Sequence, residues 1–427
     1  MDARPFDFVP VASPLHDAAA LRRSLEPYLG ALVALGGREA GPEAASGPGP
    51  LAVVVGTGGT EASVLRLRAD REAAAPGEPL LLVALPAHNS LPAALEALAR
   101  VRQDGGRGRI VPLRGPDDGP GLARLAAALD DLRVRERLHR ARIGLVGTPS
   151  DWLVASVPAA SAVRETWGPE VVPADLGPLL EAPLRPASEA AAGLAASFTS
   201  GAATVRETDA AGVTSAASVL PALGALAARE RLDAVAVRCF DLVTERGTSG
   251  CLALSALNDA GTVAACEGDL ASAVAMLWVK ELLGTASWMA NPSDADALTG
   301  QLRLAHCTVP RSLLSGWELR SHFESGLGVA LAGEIPPGPV TLLRLGGRRL
   351  DSVFLAEGEA LPTPRREDLC RTQLDVRLEP GAVAELLERP LGNHLVLVPG
   401  HVAARLRAYR EWAVGGEAGP RALGLNR

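Results

Sequence analysis

Lysine is almost missing from this chain: Lys280 is the only one among 427 residues, and every other cationic side chain is arginine or histidine. Lys280 falls inside a helix pattern, which disfavours chemistry through a lysine Schiff base. Positive charge is also in deficit. The net charge of -7 lacks the basic face that nucleic acids require, so no nucleic-acid partner is expected. No run of about 20 uninterrupted apolar residues stands out, so no membrane span is expected. The opening Met1-Asp2-Ala3-Arg4-Pro5 lacks the basic-then-apolar order of a secretory leader, and the expected location is the cytoplasm. The five cysteines (Cys239, Cys251, Cys266, Cys307, Cys370) are odd in number and lack zinc-site spacing. They read as reduced, partly buried thiols. Alanine, glycine and proline are plentiful, so glycine-rich matches carry little weight and rare residue types carry more.

What is present alternates. Leu51–Val55 is a short apolar run bounded by turn residues, as in a buried parallel strand. Pro79–Leu85 and Arg109–Leu113 repeat the pattern, with helices expected from Leu91 to about Val101 and near 120–140. A new strand-then-turn unit starts at Arg142 and continues through helices between Pro186 and Glu230. Strands follow at Ala234–Val237 and Thr262–Ala265, with a helix at Leu270–Leu283. Beyond about residue 300 the texture becomes short strands with Gly/Pro turns, which favours an antiparallel barrel or sandwich. The expected fold is therefore α/β, with two Rossmann-like parallel-sheet domains (1–141 and 142–300) followed by a mostly antiparallel β domain (301–427).

The most informative segment is Cys266-Glu267-Gly268-Asp269. It ends a strand and starts a helix, where open α/β sheets gather their ligands. Asp269 also suits a plain helix N-cap. Arg238–Gly247 follows another strand and offers Asp241 and Glu245 as acids to meet Asp269, or else a solvated loop. Gly392-Asn393-His394 puts a histidine at the start of an apolar strand. His306 and His322 are further candidates. Cys–His catalysis through Cys266 or Cys307 is disfavoured, since neither opens a helix in the way that activates a thiol. Gly56–Glu61 could cradle an anion or simply turn a strand into a helix, and His88 and Asn89 lie at the end of the next strand. Two carboxylates and a histidine around one cleft would make an oxygen-rich divalent site suited to manganese or magnesium rather than zinc. Such an ion can clamp two adjacent oxygens of a sugar and stabilise an enediolate.

The segments Cys251–Asp259, Cys266–Asp269, Ala305-His306-Cys307 and Gly392-Asn393-His394 resemble the carboxyl-terminal half of L-fucose isomerase-like proteins, which belong with L-arabinose isomerase. Gly58–Glu61 and Asn89–Glu96 are similar to that group's first domain. The resemblance implies two Rossmann-like domains before a β domain. It also implies metal-dependent aldose–ketose interconversion through an enediol, with Mn2+ and with Mg2+ or Co2+ as substitutes. It casts Asp269 as ligand and proton carrier, Asp241 or Glu245 as the second acidic ligand, and His394 as the histidine ligand. Glu267 and His306 would stand behind the metal ligands or contact substrate, and Asn393 would contact substrate. Gly58, Thr60, His88 and Asn89 would act on a neighbouring subunit's cleft within a trimer or hexamer. An Asp269→Asn exchange is expected to abolish metal uptake and turnover and spare the fold. The rivals are a non-catalytic sugar-binding protein on the same scaffold, or a sugar epimerase or aldolase.

Overall fold

The computed structural model describes residues 5–182, 184 and 188–415. The chain divides into two compact units, Met1–Arg137 with Arg407–Arg427, and Leu138–Leu406.

The first unit is a five-stranded parallel sheet. Its strands are β1 (Phe6–Val11), β2 (Gly37–Glu39), β3 (Leu51–Val55), β4 (Leu80–Ala84) and β5 (Gly108–Pro112), in the order β2-β1-β3-β4-β5. β3 and β4 are buried along their whole length, as apolar strands covered on both faces must be. Helices α1 (Ala18–Ala34), α2 (Glu61–Ala74), α3 (Ser90–Gln103) and α4 (Gly119–Arg140) alternate with the strands. The last stretch of chain returns to this unit: the Trp412 indole donates to Asp131 Oδ2 at 2.8 Å. That closure was not expected, because it pairs residues far apart in sequence.

In the second unit a four-stranded parallel sheet runs β7-β6-β8-β9, from β6 (Arg142–Val146), β7 (Glu170–Ala174), β8 (Ala234–Val237) and β9 (Val263–Ala265). Its order reverses between β6 and β8, which makes the carboxyl ends of those strands a topological switch point. Helices α5 (Ala160–Thr166) to α9 (Val219–Glu230) lie between β6 and β8 in the chain. The run Ala210–Glu230 is long and apolar enough to cross a membrane by length and composition alone. Here it is two helices broken at Ser218, with Leu223 and Leu226 in the core. α10 (Phe240–Arg246) and α11 (Cys251–Asp259) lead to β9, and α12 (Leu270–Leu283) follows it, buried on every face from Leu270 to Val279.

A closed antiparallel barrel completes this unit, in the order β10-β11-β16-β15-β14-β17. Its strands are β10 (Trp288–Asp296), β11 (Gln301–His306), β14 (Gly338–Gly346), β15 (Ser352–Leu361), β16 (Thr372–Leu378) and β17 (Leu395–Pro399), and a separate hairpin pairs β12 (Gly316–Arg320) with β13 (Ala330–Glu334). Leu302, Leu304, Leu342, Leu395 and Leu397 fill the core with Trp288 and Val376, each essentially excluded from solvent. Each such leucine contributes about 1.5 to 3 kcal/mol. The fold class is thus α/β with parallel sheets and an antiparallel β-barrel, as its sequence texture indicates. β10 was not anticipated: it carries a proline, a bulge between Pro292 and Asp294, and a polar end.

β9 is an edge strand, and Asn258 of α11 closes its outer side. The Asn258 amide donates to Leu254 O at 3.0 Å and Ala264 O at 2.8 Å, and its Oδ1 accepts from Ala264 N at 3.0 Å. Asn258→Ala strands a buried N–H and C=O pair beside the segment that carries Glu267. It should lower stability by about 2 kcal/mol, read as a shift in the urea midpoint.

Candidate metal centre

Two backbone facts place the first acid. Glu267 and Gly268 leave β9 at φ +62° and +71°, a left-handed pair that turns the chain from strand to helix. Only glycine fits the second position, because a Cβ there would stand 2.8 Å from Pro149 Cα. The turn is anchored by Gly268 N to Val237 O (2.9 Å) and Ser150 N to Glu267 O (2.9 Å). Holding a glutamate left-handed costs about 1 kcal/mol or more, a strain found where a side chain must be aimed.

β10 places the imidazoles. It pairs with β11 through Asn291↔Ala305 and with β17 through Ala290↔Leu395. His306 ends β11 and His394 immediately precedes β17, and their ring centroids stand 5.4 Å apart. Glu267 Oε1 lies 3.6 Å from His306 Nε2 and 3.5 Å from His394 Nε2. All three side chains are buried, and their ligand atoms lie within 4.8 Å of one another.

Asp269 supports this group from behind. It caps α12, Oδ1 accepting from Ser272 N at 2.8 Å and Oδ2 from Ser272 Oγ at 2.9 Å. Oδ2 also accepts from Arg344 Nη1 at 2.9 Å and faces His394 Nδ1 at 2.8 Å. A carboxylate can only accept, so His394 Nδ1 carries the hydrogen and Nε2 turns its other edge toward Glu267. That buried Nε2 has no hydrogen-bond partner. His306 has Thr308 Oγ1 2.9 Å from its Nδ1, a hydroxyl that holds the ring's outer edge. Outer partners on Nδ1 with both Nε2 atoms and a carboxylate converging is the donor arrangement of a cation site, and an orphaned buried nitrogen is what such a site predicts.

The electrostatics agree. Burial alone would lower the His394 imidazolium, but the hydrogen bond to Asp269 and the negative charge of Asp269 and Glu267 hold its pKa up at about 9. Burial pushes His306 below its ordinary value. Burial would raise both acids, yet Glu267 is held well below the carboxylate range by the two imidazoles, and Asp269 by Arg344 and His394.

Four expected site residues, Glu267, Asp269, His306 and His394, do come together, with changed parts. Glu267, expected to contact substrate, is the acid between the imidazoles, and His306 stands beside it. Asp269, expected as ligand, has its oxygens occupied by Arg344, Ser272 and His394. Asp241 and Glu245, expected as the second acidic ligand, lie outside the buried group of Glu267, His306 and His394. Asp241 sits on the first turn of α10 and is taken by Arg238 (Nε to Oδ1, 2.9 Å), while Glu245 is exposed further along that helix. The carboxyl end of β8 presents Cys239 instead. The buried group that could hold an ion thus offers two imidazole nitrogens and one carboxylate, rather than the oxygen-rich set expected. Asn393 is exposed, its amide 3.4 Å from Asn291 Oδ1. Gly58, Thr60, His88 and Asn89 lie in the first unit. There Gly58 N donates to His88 O at 2.7 Å, and His88 and Asn89 take positive φ.

Arg344 was missed, although an arginine inside the apolar run Val340–Leu345 is itself a signal. Trp152, whose indole donates to Glu267 Oε2 at 2.6 Å, was also missed.

A cavity of about 50 Å³ opens beside Glu267 and His306, and all five cysteines line it together with His322 and Glu324. Cys239 and Cys266 approach to 2.7 Å as free thiols, and their contact and burial hold Cys266 far above the usual thiol range. Burial does the same for Cys251. Cys307 is lowered by a hydrogen bond from Cys370.

Fold and cluster together define a class: an α/β protein with an imidazole–carboxylate centre built between a parallel sheet's switch point and a β-barrel. No protein-family model matches the chain. Among curated proteins it is similar to the sulfoquinovose isomerase of Alkalicoccus urumqiensis, 29% identical over 191 residues, 42% of this chain and 42% of that protein. Sulfoquinovose isomerases of Priestia megaterium (27% over 190 residues) and of a Clostridium species (26% over 189 residues) match with the same coverage, so the matched stretch spans 42% of each relative's length.

Two outcomes follow. His394 holds its proton up to about pH 9 in the metal-free protein, against 6.5 ordinarily. The stabilising pair with Asp269 is complete below pH 6.5 and is lost as pH rises through about 9. A cation must displace that proton, so divalent-cation affinity should climb about tenfold per pH unit across this window, measured by titration calorimetry. Asp269→Asn would leave Arg344 buried without an anion. It should cost about 3 to 5 kcal/mol in denaturant unfolding, so the fold would not be spared.

Proposed function

We propose that the chain is a divalent-cation-dependent aldose–ketose isomerase acting on a sugar. The convergence of Glu267 Oε1 with two outward-fixed imidazoles at the switch point carries this reading. The names of the similar curated proteins support the reaction class. Glu267, His306 and His394 would hold the ion, with manganese or cobalt favoured by the nitrogen-rich set. A bound divalent ion supplies positive charge that polarises a sugar carbonyl and its neighbouring hydroxyl.

The chain's own residues do the rest. Asp269 orients His394 and shields Arg344 rather than moving a proton, since none of its surface is open. The cavity offers another carboxylate, Glu324, which burial and the charge of Glu267 raise above its ordinary value. A raised carboxylate that is not consumed by an ion pair suits proton transfer between C2 and C1 through an enediol. The thiols and Phe240 give the cavity a largely uncharged wall. Its described lining contains no arginine or lysine to meet an anionic substituent such as a sulfonate.

Aldoses, both neutral and sulfonated, incubated with Mn2+, then freed of metal and followed by proton NMR in deuterated water, should yield the ketose. Inversion at a single carbon or cleavage to shorter carbonyl products would overturn the isomerase assignment. Glu324→Gln should reduce turnover by about a hundredfold or more with metal affinity unchanged. Undiminished turnover would remove Glu324 from the mechanism.

A further inference from the structure

Trp152 sits in the segment between β6 and α5 that passes over Glu267. The segment is well anchored. Arg238 Nη1 donates to Pro149 O at 2.7 Å and to Thr148 Oγ1 at 3.1 Å, and the Ser150 N–H reaches Glu267 O at 2.9 Å. The Trp152 ring stands edge-on to Phe240, with centroids 4.9 Å apart. Yet the residue is 51% exposed, so burial of its ring contributes little to the fold. Its polar atom is aimed: Nε1 donates to Glu267 Oε2 at 2.6 Å.

The two oxygens of Glu267 are thus divided. Oε2 is taken by the indole, and Oε1 faces both imidazoles. Glu267 leaves the strand through a left-handed backbone, so regular secondary structure does not set its carboxylate plane. Without the indole the carboxylate could rotate about its last side-chain bond and either withdraw Oε1 or present both oxygens.

We propose that Trp152 is a positioning residue for the cation site, its indole N–H holding Glu267 so that a single oxygen is offered between the imidazoles. The inference rests on the reading of Glu267, His306 and His394 as cation ligands. It goes beyond that reading by assigning the orientation of Glu267 to a residue outside the ligand set. Donors behind a ligating carboxylate commonly alter metal affinity about 10- to 100-fold.

The test is Mn2+ alone, titrated into wild type and Trp152→Phe, with the free ion followed by electron paramagnetic resonance and the metal-free thermal midpoint measured in parallel. Phenylalanine keeps an aromatic ring beside Phe240, though a smaller one, and removes the N–H donor. The expected result is Mn2+ affinity weakened about tenfold with the metal-free midpoint unchanged. Unaltered affinity overturns the inference, whether or not the midpoint falls, because a packing role would move the midpoint alone. Wild type that takes up no Mn2+ overturns the cation site itself, and the inference with it.

Discussion

One carboxylate holds the second unit's functional end together. Asp269 closes the first turn of α12, neutralises Arg344 from the barrel and fixes the ring of His394. The three partners come from different elements, and all four side chains are fully or almost fully buried. A buried charge is tolerated only when paired and hydrogen-bonded, so satisfying Arg344 and satisfying Asp269 are one requirement. That requirement sets the distance from the β9 turn to the start of β17, and hence the gap between Glu267 and His394.

From this constraint the division of labour follows. Asp269 commits its oxygens to the helix cap, Arg344 and His394, and the acid two residues earlier faces the two Nε2 atoms. The left-handed pair at Glu267 and Gly268 makes that possible, since it turns the backbone away from strand geometry at the glutamate. The histidines need no such device. β10 lies between β11, which ends on His306, and β17, which His394 immediately precedes, so pairing on its two edges brings the two residues close.

A thiol-lined cavity adjoins the site. Thiols and one aromatic ring form a wall with little charge, while Glu267 and Glu324 supply negative charge near His306 and His322. The lowered His306 and His322 are kept neutral by burial, which leaves them free to accept or to ligate.

Much of this was legible in the residues. Apolar runs of parallel-strand length, the strand-to-helix turn at Cys266–Asp269 and the turn-rich strands after residue 300 were enough for the fold class. They also brought Glu267, Asp269, His306 and His394 into one hypothesis. Local pattern could not rank Glu267 against Asp269, because both stand on the same turn and only φ decides which side chain points where. Nor could it exclude Asp241, whose capture by Arg238 depends on how α10 leaves β8. The return of Trp412 to the first unit, and the role of Arg344, are long-range pairings with no local signature. Sequence by itself determined the elements and the chemical types available, because periodicity and turn chemistry act over a few residues. The tertiary structure alone decided which acid faces the imidazoles, because burial, charge pairing and hydrogen-bond direction exist only once distant strands are in register.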